Sequence, residues 1–225
     1  MSGAIGILSH KIILKAGLLL ISARIDLQPV DAVIDPSAPM TIADPSEARY
    51  LKTDQAIRGP QKVMKKRVIG IDHDEMRIFQ VDFQPTRPAT DLIIGSDLMS
   101  DMRIGFDFKR SKLRVFDPGD RHVGKGMHTI PISVSKTSGC LVADARNERG
   151  DPIRMAILGR SVGSENPGRQ LVKVSLGGVP LNALSSSMAS GPCFDSDVLV
   201  TWSNFTDQHI IFDVGHSQMW IAPSH

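Results

Sequence analysis

Residues 91–116 read DLIIGSDLMSDMRIGFDFKRSKLRVF, and a related pattern returns 106 positions later, in residues 197–222, as DVLVTWSNFTDQHIIFDVGHSQMWIA. Aligned identical residues include Asp91, Asp101, Phe106, Asp107 and Ser111, which match Asp197, Asp207, Phe212, Asp213 and Ser217. Apolar positions also agree, since Leu-Ile-Ile at 92–94 lies over Val-Leu-Val at 198–200. A pattern that recurs at the end of each half of a chain predicts an internal duplication.

The rest of the chain carries strand signals in both halves. Short runs rich in valine and isoleucine recur throughout, and RIFQVDFQ at residues 77–84 alternates apolar and polar residues. PVDAVID, from Pro29, lies over PIRMAIL, from Pro152, so the beginnings of the halves also match. One helix is predicted at residues 44–57, from a capping Asp44, and a short helical turn at 96–102. The sequence therefore predicts an all-β chain with little helix.

A glycine- and proline-containing stretch, FDPGDRHVGKG at residues 116–126, separates the two similar parts. It predicts an N-terminal lobe at residues 1–117, a linker at 118–127 and a C-terminal lobe at 128–225. Two lobes of about 100 residues are each small for an independent core and are expected to pack against one another.

The order of motifs in the first half resembles that of the retropepsin-like and pepsin-like aspartic peptidases, in a two-repeat bacterial form. AVIDPSAP at residues 32–39 resembles the loop that carries the catalytic aspartate, and residues 67–84 resemble the flap hairpin. LIIGSDLM and IGFDFKRSKLRVF then resemble the apolar-apolar-Gly segment and the closing strands of a lobe. The resemblance implies a two-lobed, acid-protease-like β-barrel fold.

The same resemblance makes Asp35 the candidate catalytic residue. The chemistry of this family needs two carboxylates that share a proton, one from each lobe. In the second half the matching loop is AILGRSVG at residues 156–163, and Asp35 aligns with Leu158 or Gly159, depending on a one-residue gap. Pro36 stands where the family has a hydroxyl residue, and it has neither a hydroxyl nor a backbone N–H. These departures predict a homologue with impaired catalysis that binds a peptide or protein between its lobes.

The binding residues implied by the resemblance lie in that cleft or on the hairpin that covers it. They are Ser37, Ala38, Ile71, His73, Gly95, Gly159 and Ser161. The hairpin is predicted to turn at DHDE, residues 72–75, which places its tip near His73.

Two other functions stay open from the sequence. An active aspartic endopeptidase could form as a homodimer that brings two copies of Asp35 together, although a monomer is favoured for a duplicated chain. A serine hydrolase is the third hypothesis, because GRSVG at residues 159–163 matches G-x-S-x-G around Ser161. That motif requires a helix after the serine, and Pro167 and Gly168 favour a turn instead.

Composition argues against several other classes. A net charge of +2 and an aromatic content of 5% do not favour a nucleic-acid surface. No apolar run reaches the length of a membrane span, and no cofactor is expected. Cys140 and Cys193 stand in no metal-ligand spacing, so no metal site is predicted, and two buried thiols are favoured over a disulfide.

The prediction of the cellular compartment depends on the stretch AGLLLISA at residues 16–23. This stretch is predicted to be a strand rather than the apolar part of a signal peptide, because lysines interrupt the apolar run before it. A cytoplasmic location is therefore favoured, and a secreted or periplasmic one stays open.

Overall fold

The computed structural model describes most of the chain. The described residues are 8–15, 17–25, 28–43, 61–63, 66–68, 71–73, 76–78, 92–116, 122–159, 170–185, 193 and 195–223.

Strands dominate these residues. They are β1 (Leu8–Lys15), β2 (Leu18–Ile25), β3 (Gln28–Ile34), β4 (Ile42–Ala43), β5 (Gln61–Val63), β6 (Lys66–Val68), β7 (Ile71–His73), β8 (Met76–Ile78), β9 (Leu92–Ile94), β10 (Arg103–Asp107), β11 (Lys112–Phe116), β12 (His128–Val134), β13 (Leu141–Asn147), β14 (Pro152–Leu158), β15 (Leu171–Leu176), β16 (Val179–Ser185), β17 (Val198–Thr201), β18 (His209–Asp213) and β19 (Gln218–Ile221). One short α-helix, α1, spans Ser96–Ser100, and 3₁₀ turns span Trp202–Phe205 and Val214–His216. The all-β prediction and the helical turn after β9 are confirmed, whereas the helix predicted at 44–57 lies outside the described residues.

A central antiparallel sheet joins the two halves of the chain. Its strand order is β1, β11, β10, β18, β19 and β12, so each half contributes three strands. β1 and β12 each continue into a second sheet, since their later residues pair with β2 and β13 respectively. The two halves therefore have the same strand order around a shared sheet.

The pairing at the middle of the central sheet follows the sequence repeat. Gly105 of β10 pairs with Ile211 of β18, which is the residue aligned with it 106 positions later. On one side of this pair, Arg103 lies opposite Asp213. On the other side, Asp107, which aligns with Asp213, lies opposite His209, which aligns with Arg103. The register of this strand pair is therefore symmetric about the pair of Gly105 and Ile211.

The parallel strand pairs remove the alignment ambiguity at Asp35. Residues 32–34 of β3 pair in parallel with β9, and residues 155–158 of β14 pair in parallel with β17. Because β9 and β17 align with an offset of 106, these registers make Leu158 the structural counterpart of Asp35.

The hydrophobic core runs through both halves. One cluster of buried side chains includes residues from β2 and β9 of the first half and from β14 and β17 of the second. Aromatic rings fill the junction: the ring centroids of Phe106 and Trp202 are 5.1 Å apart, and those of Trp202 and Phe212 are 6.2 Å apart. The halves share buried surface, as expected for lobes that are small on their own.

The flap hairpin forms, but its predicted turn is wrong. β6 pairs with β7 and β5 pairs with β8 in one continuous register, with Val68 opposite Ile71. Val68 and Ile71 form the last described pair of this ladder, and His73 lies opposite Lys66 within it. The polar residues of DHDE predict a turn, but Asp72 and His73 belong to a paired strand. The predicted strand residues 79–84 lie outside the described residues.

A buried ion-pair network lies in the central sheet. Asp213 accepts hydrogen bonds from Arg103 Nε at 2.9 Å and pairs with Arg103 Nη2 at 2.7 Å, while His216 Nδ1 lies 2.7 Å from its other oxygen. Burial alone would raise the pKa of Asp213, but the hydrogen bonds from His216 and Arg103 outweigh it and hold the pKa below its ordinary value.

We expect Asp213 to make folding sensitive to acid. A carboxylate with a lowered native pKa stabilises the fold above its unfolded-state pKa of about 3.9, and this stabilisation is lost as pH falls through the native value. Asp213→Asn should lower the free energy of unfolding by about 2 kcal/mol at pH 7 and flatten its dependence on pH below about 4. Urea unfolding from pH 7 to pH 2 measures both effects. The aligned Asp107, whose partner Arg110 is largely exposed, is the control, and Asp107→Asn should cost less than about 1 kcal/mol. Equal pH profiles for wild type and Asp213→Asn would contradict this assignment.

Candidate functional site

Asp35 lies at the end of β3, where the strand leaves the core. Its backbone N–H donates to the carbonyl of Ile94 at 2.9 Å, so the parallel pairing with β9 continues to the first loop residue. The strand residues before it are buried, and Asp35 itself is half-buried. An apolar strand that ends in an acid thus places the carboxylate at the surface of the core.

Every hydrogen bond that the described residues donate to this carboxylate goes to the same one of its two oxygens. Asp35 Oδ1 accepts from the Ser37 backbone N–H at 2.9 Å, the Ser37 hydroxyl at 2.5 Å and the Gly159 backbone N–H at 2.9 Å. Ser37 therefore caps the carboxylate within its own loop. Gly159 reaches it from the other half of the chain.

Gly159 lies directly against Asp35. A Cβ atom added to Gly159 would lie 2.2 Å from Asp35 Cα and 2.5 Å from its Cγ. Real Cβ atoms do not approach this closely, so only glycine allows the two loops to meet here. The backbone of the second loop occupies the space beside the carboxylate.

The position equivalent to Asp35 holds an apolar side chain. Leu158 is fully buried in a small cluster with Val142, Ala156 and Leu199, which also contains both cysteines. The described residues therefore present no second carboxylate from this strand end, as the sequence predicted for either alignment.

The cysteines form a disulfide, which corrects the prediction of two free thiols. Cys140 and Cys193 are bonded, with their Cα atoms 5.6 Å apart, and both are buried. This separation is ordinary for a disulfide. Their distance of 53 residues in sequence gave no indication that the fold brings them together.

The disulfide turn, residues 135–140, packs against the Asp35 loop. Leu141 donates its N–H to the Pro36 carbonyl at 3.2 Å, and Gly139 lies against Pro39. On the other side, Asp195 accepts hydrogen bonds from the hydroxyls of Ser135 and Ser138. These two hydrogen bonds hold the pKa of Asp195 below its ordinary value. The turn is thus fixed between the candidate site and residues 195–197.

The first loop is also held by the segment after β9. Ala38 donates its N–H to the Asp35 carbonyl at 3.0 Å and accepts from Ser96 N–H at 2.8 Å. A Cβ on Gly95 would lie 2.5 Å from the carbonyl carbon of Met40, so the glycine of the apolar-apolar-Gly segment allows close packing of two backbones.

Trp202 provides a second link between the halves. It is completely buried, and its indole Nε1 donates to the carbonyl of Ile34 at 2.8 Å, directly before Asp35. The second half has Thr201 where the first has Gly95, and the tryptophan that follows donates to a strand of the first half. The sequence alone did not identify Trp202 as part of the site. The sequence offered one indication of this role, because Trp202 aligns with Ser96, whose backbone contacts the same loop.

The structure brings together only some of the predicted site residues. Ser37, Ala38 and Gly159 contact Asp35, and Gly95 supports its loop. Ile71 and His73 lie in the hairpin ladder, and Ser161 is outside the described residues. Roles for these residues in binding stay predictions.

A separate cavity of about 570 Å³ lies in the C-terminal half. Its lining includes Asp144, Arg146 and Arg154 but neither Asp35 nor Gly159. The Arg154 guanidinium donates a hydrogen bond to the carbonyl of Asp195 at 3.1 Å, so it already has a partner within the protein. The cavity is distinct from the candidate site. Among the described residues, no three histidine, cysteine or acidic residues gather as a metal site, and no helix is long and apolar enough to cross a membrane.

Comparison with known proteins identifies the architecture. No family model matches the sequence, and no curated protein matches it. Among solved structures, the aspartic proteinase from Irpex lacteus aligns with a TM-score of 0.58 at 10% identity, over 96% of this chain and 97% of that one. The chain has the fold of the aspartic peptidases.

Two globulins share this aspartic-peptidase fold. Basic 7S globulin from soybean aligns with a TM-score of 0.54 at 9% identity, over 97% of this chain and 94% of that one. Conglutin gamma, a basic 7S globulin from lupine seeds, aligns at 0.54 and 10% identity, over 97% and 95%. The expectation of an acid-protease-like fold is confirmed. Sequence identities this low show similarity of fold alone.

Proposed function

We propose that this chain is a duplicated aspartic-peptidase homologue with impaired catalysis, which binds a peptide or protein at the cleft around Asp35. The observation that carries the proposal is the 2.9 Å hydrogen bond from the Gly159 N–H to Asp35 Oδ1. It brings a backbone amide, and no second carboxyl group, to Asp35 from the other half of the chain.

The chemistry of peptide hydrolysis explains why this contact matters. One carboxyl group takes a proton from the attacking water, and the other gives a proton to the peptide carbonyl. Two close carboxylates keep one proton between them because both do not ionise easily together. Asp35 has Leu158 at its equivalent position and a backbone amide as its neighbour, so this proton-sharing partner is missing from the described strand end.

The homodimer alternative is less well supported. Two copies of Asp35 could meet only if the second half of each chain left its place beside the first. That would break five residue pairs between β10 and β18, the Trp202 to Ile34 hydrogen bond, and the contact of Gly159 with Asp35. The shared core makes this separation costly. Fold alone does not argue for activity, since function depends on the site.

The catalytic half of the proposal is tested by cleavage of denatured casein between pH 3 and pH 8. Wild type and Asp35→Asn are compared at several protein concentrations, with the mass in solution measured at each. We expect no cleavage from either protein and a monomer throughout. Cleavage that rises with dimer formation and disappears in Asp35→Asn would contradict the proposal and support the homodimer.

The binding half is tested separately, by capture of peptides from a random hexapeptide library. Ser37→Trp should reduce capture at least tenfold, because the larger side chain fills the space beside Asp35, whereas Ser37→Ala should retain capture. Circular dichroism verifies that both variants are folded. Absence of capture by wild type would refute binding in the cleft.

A further inference from the structure

We propose that Asp35 Oδ2 is the docking point for the ammonium group of a lysine side chain in the bound ligand. This inference rests on the proposed function and specifies the chemistry of its ligand.

The two oxygens of Asp35 differ in their surroundings. Oδ1 accepts from the N–H and hydroxyl of Ser37 and from the N–H of Gly159. No donor from the part of the chain that the structure describes bonds to Oδ2. Pro36 offers no N–H of its own. One face of the carboxylate is thus held in a fixed orientation, and its other oxygen is left for a ligand.

The donors around Asp35 are all neutral. Three other carboxylates of the described residues, Asp107, Asp195 and Asp213, each lie within 4 Å of an arginine nitrogen. Asp35 forms no such ion pair with a described residue. The hydrogen bonds to Oδ1 offset only part of the hydration that a half-buried carboxylate loses, so a positive ligand group gains a charge-assisted hydrogen bond at Oδ2.

The occupied oxygen also selects between kinds of cation. A guanidinium group binds a carboxylate best through two parallel hydrogen bonds, one to each oxygen. Oδ1 already has three donors, so this arrangement is blocked. An ammonium group is a compact charge that needs only one acceptor, and Oδ2 provides it.

The test uses hexapeptides with acetylated amino termini that bind the wild-type protein and contain one lysine. Each is compared with copies in which that lysine is acetyl-lysine, norleucine or arginine, and affinities are measured by calorimetry. With the wild-type protein, the lysine peptide should bind at least tenfold more tightly than the acetyl-lysine and norleucine copies and several-fold more tightly than the arginine copy. Asp35→Asn should lose this preference, and Asp144→Asn, which removes an exposed carboxylate away from the site, should retain it.

The outcomes separate this inference from the proposed function. Peptides that bind wild type with equal affinity for lysine and acetyl-lysine, or whose preference for lysine persists in Asp35→Asn, would overturn the ammonium site while peptide binding stands. If no hexapeptide binds the wild-type protein, the proposed function fails and the ammonium site fails with it.

Discussion

Replacing both Cys140 and Cys193 by alanine is expected to lower the free energy of unfolding by about 4 kcal/mol. The disulfide closes a loop across a sequence separation of 53 residues, and a cross-link of that span restricts the unfolded chain by about this amount. Both sulfur atoms are buried in the cluster that contains Leu158, so the bond also fixes the packing beneath the candidate site. The disulfide turn contacts Pro36 directly, through the N–H of Leu141.

Urea unfolding of the double variant, with and without a thiol reductant, measures this contribution. The reductant should have no further effect on the double variant, which serves as the control for reduction of other groups. A stability within about 1 kcal/mol of wild type would show that the bond contributes little. It would also remove the argument that the disulfide turn holds the Asp35 loop.

Replacing Trp202 by alanine is expected to lower the free energy of unfolding by about 3–5 kcal/mol, as for other large buried aromatic residues. Trp202 has no exposed surface and contacts the rings of Phe106 and Phe212 at the junction of the halves. Its loss would leave a cavity and also remove the donor to the carbonyl of Ile34. The substitution is therefore expected to disturb both the core and the strand that ends at Asp35.

Trp202→Phe separates these two effects. It keeps most of the ring but removes the indole N–H, so the expected loss is about 1–3 kcal/mol for a buried carbonyl without its donor. Chemical unfolding of both variants gives the comparison. If Trp202→Phe were as stable as wild type, the hydrogen bond to Ile34 would not be a significant link between the halves.

The fold was predictable because the decisive signals are local and repeated. The apolar strands that pack in parallel, at residues 92–94 and 198–200, are visible as runs of aliphatic residues separated by a fixed offset. Their partners, β3 and β14, are also apolar runs. Hydrophobic pattern and repetition were enough to place these elements, since burial of the strands follows from composition.

The sequence did not reveal contacts that depend on precise three-dimensional distances. The alignment left Leu158 and Gly159 as equal counterparts of Asp35, and only the strand register distinguished them. The disulfide joins residues far apart in sequence, and no local pattern predicts such a bond. The predicted turn at DHDE is wrong because polar residues alone are a weak indication of a turn. Pairing with the neighbouring strand places Asp72 and His73 within a strand instead.

The candidate site was predicted in part for a similar reason. Asp35 was evident from an acid that ends an apolar strand. The capping role of Ser37 was not, although the resemblance placed Ser37 among the binding residues. Its hydroxyl and N–H instead cap the carboxylate, an interaction that depends on the local backbone conformation.

The hydrogen bond between Gly159 and Asp35 is the central claim, and amide hydrogen exchange measured by NMR tests it most directly. The Gly159 amide should be protected in the wild-type protein, and its exchange should accelerate about tenfold in Asp35→Ala, the equivalent of roughly 1.4 kcal/mol for a hydrogen bond to a carboxylate. Amides of β10 and β18 should be unchanged and show that the fold persists. A Gly159 amide that exchanges rapidly in wild type, or at the same rate in both proteins, would contradict the account.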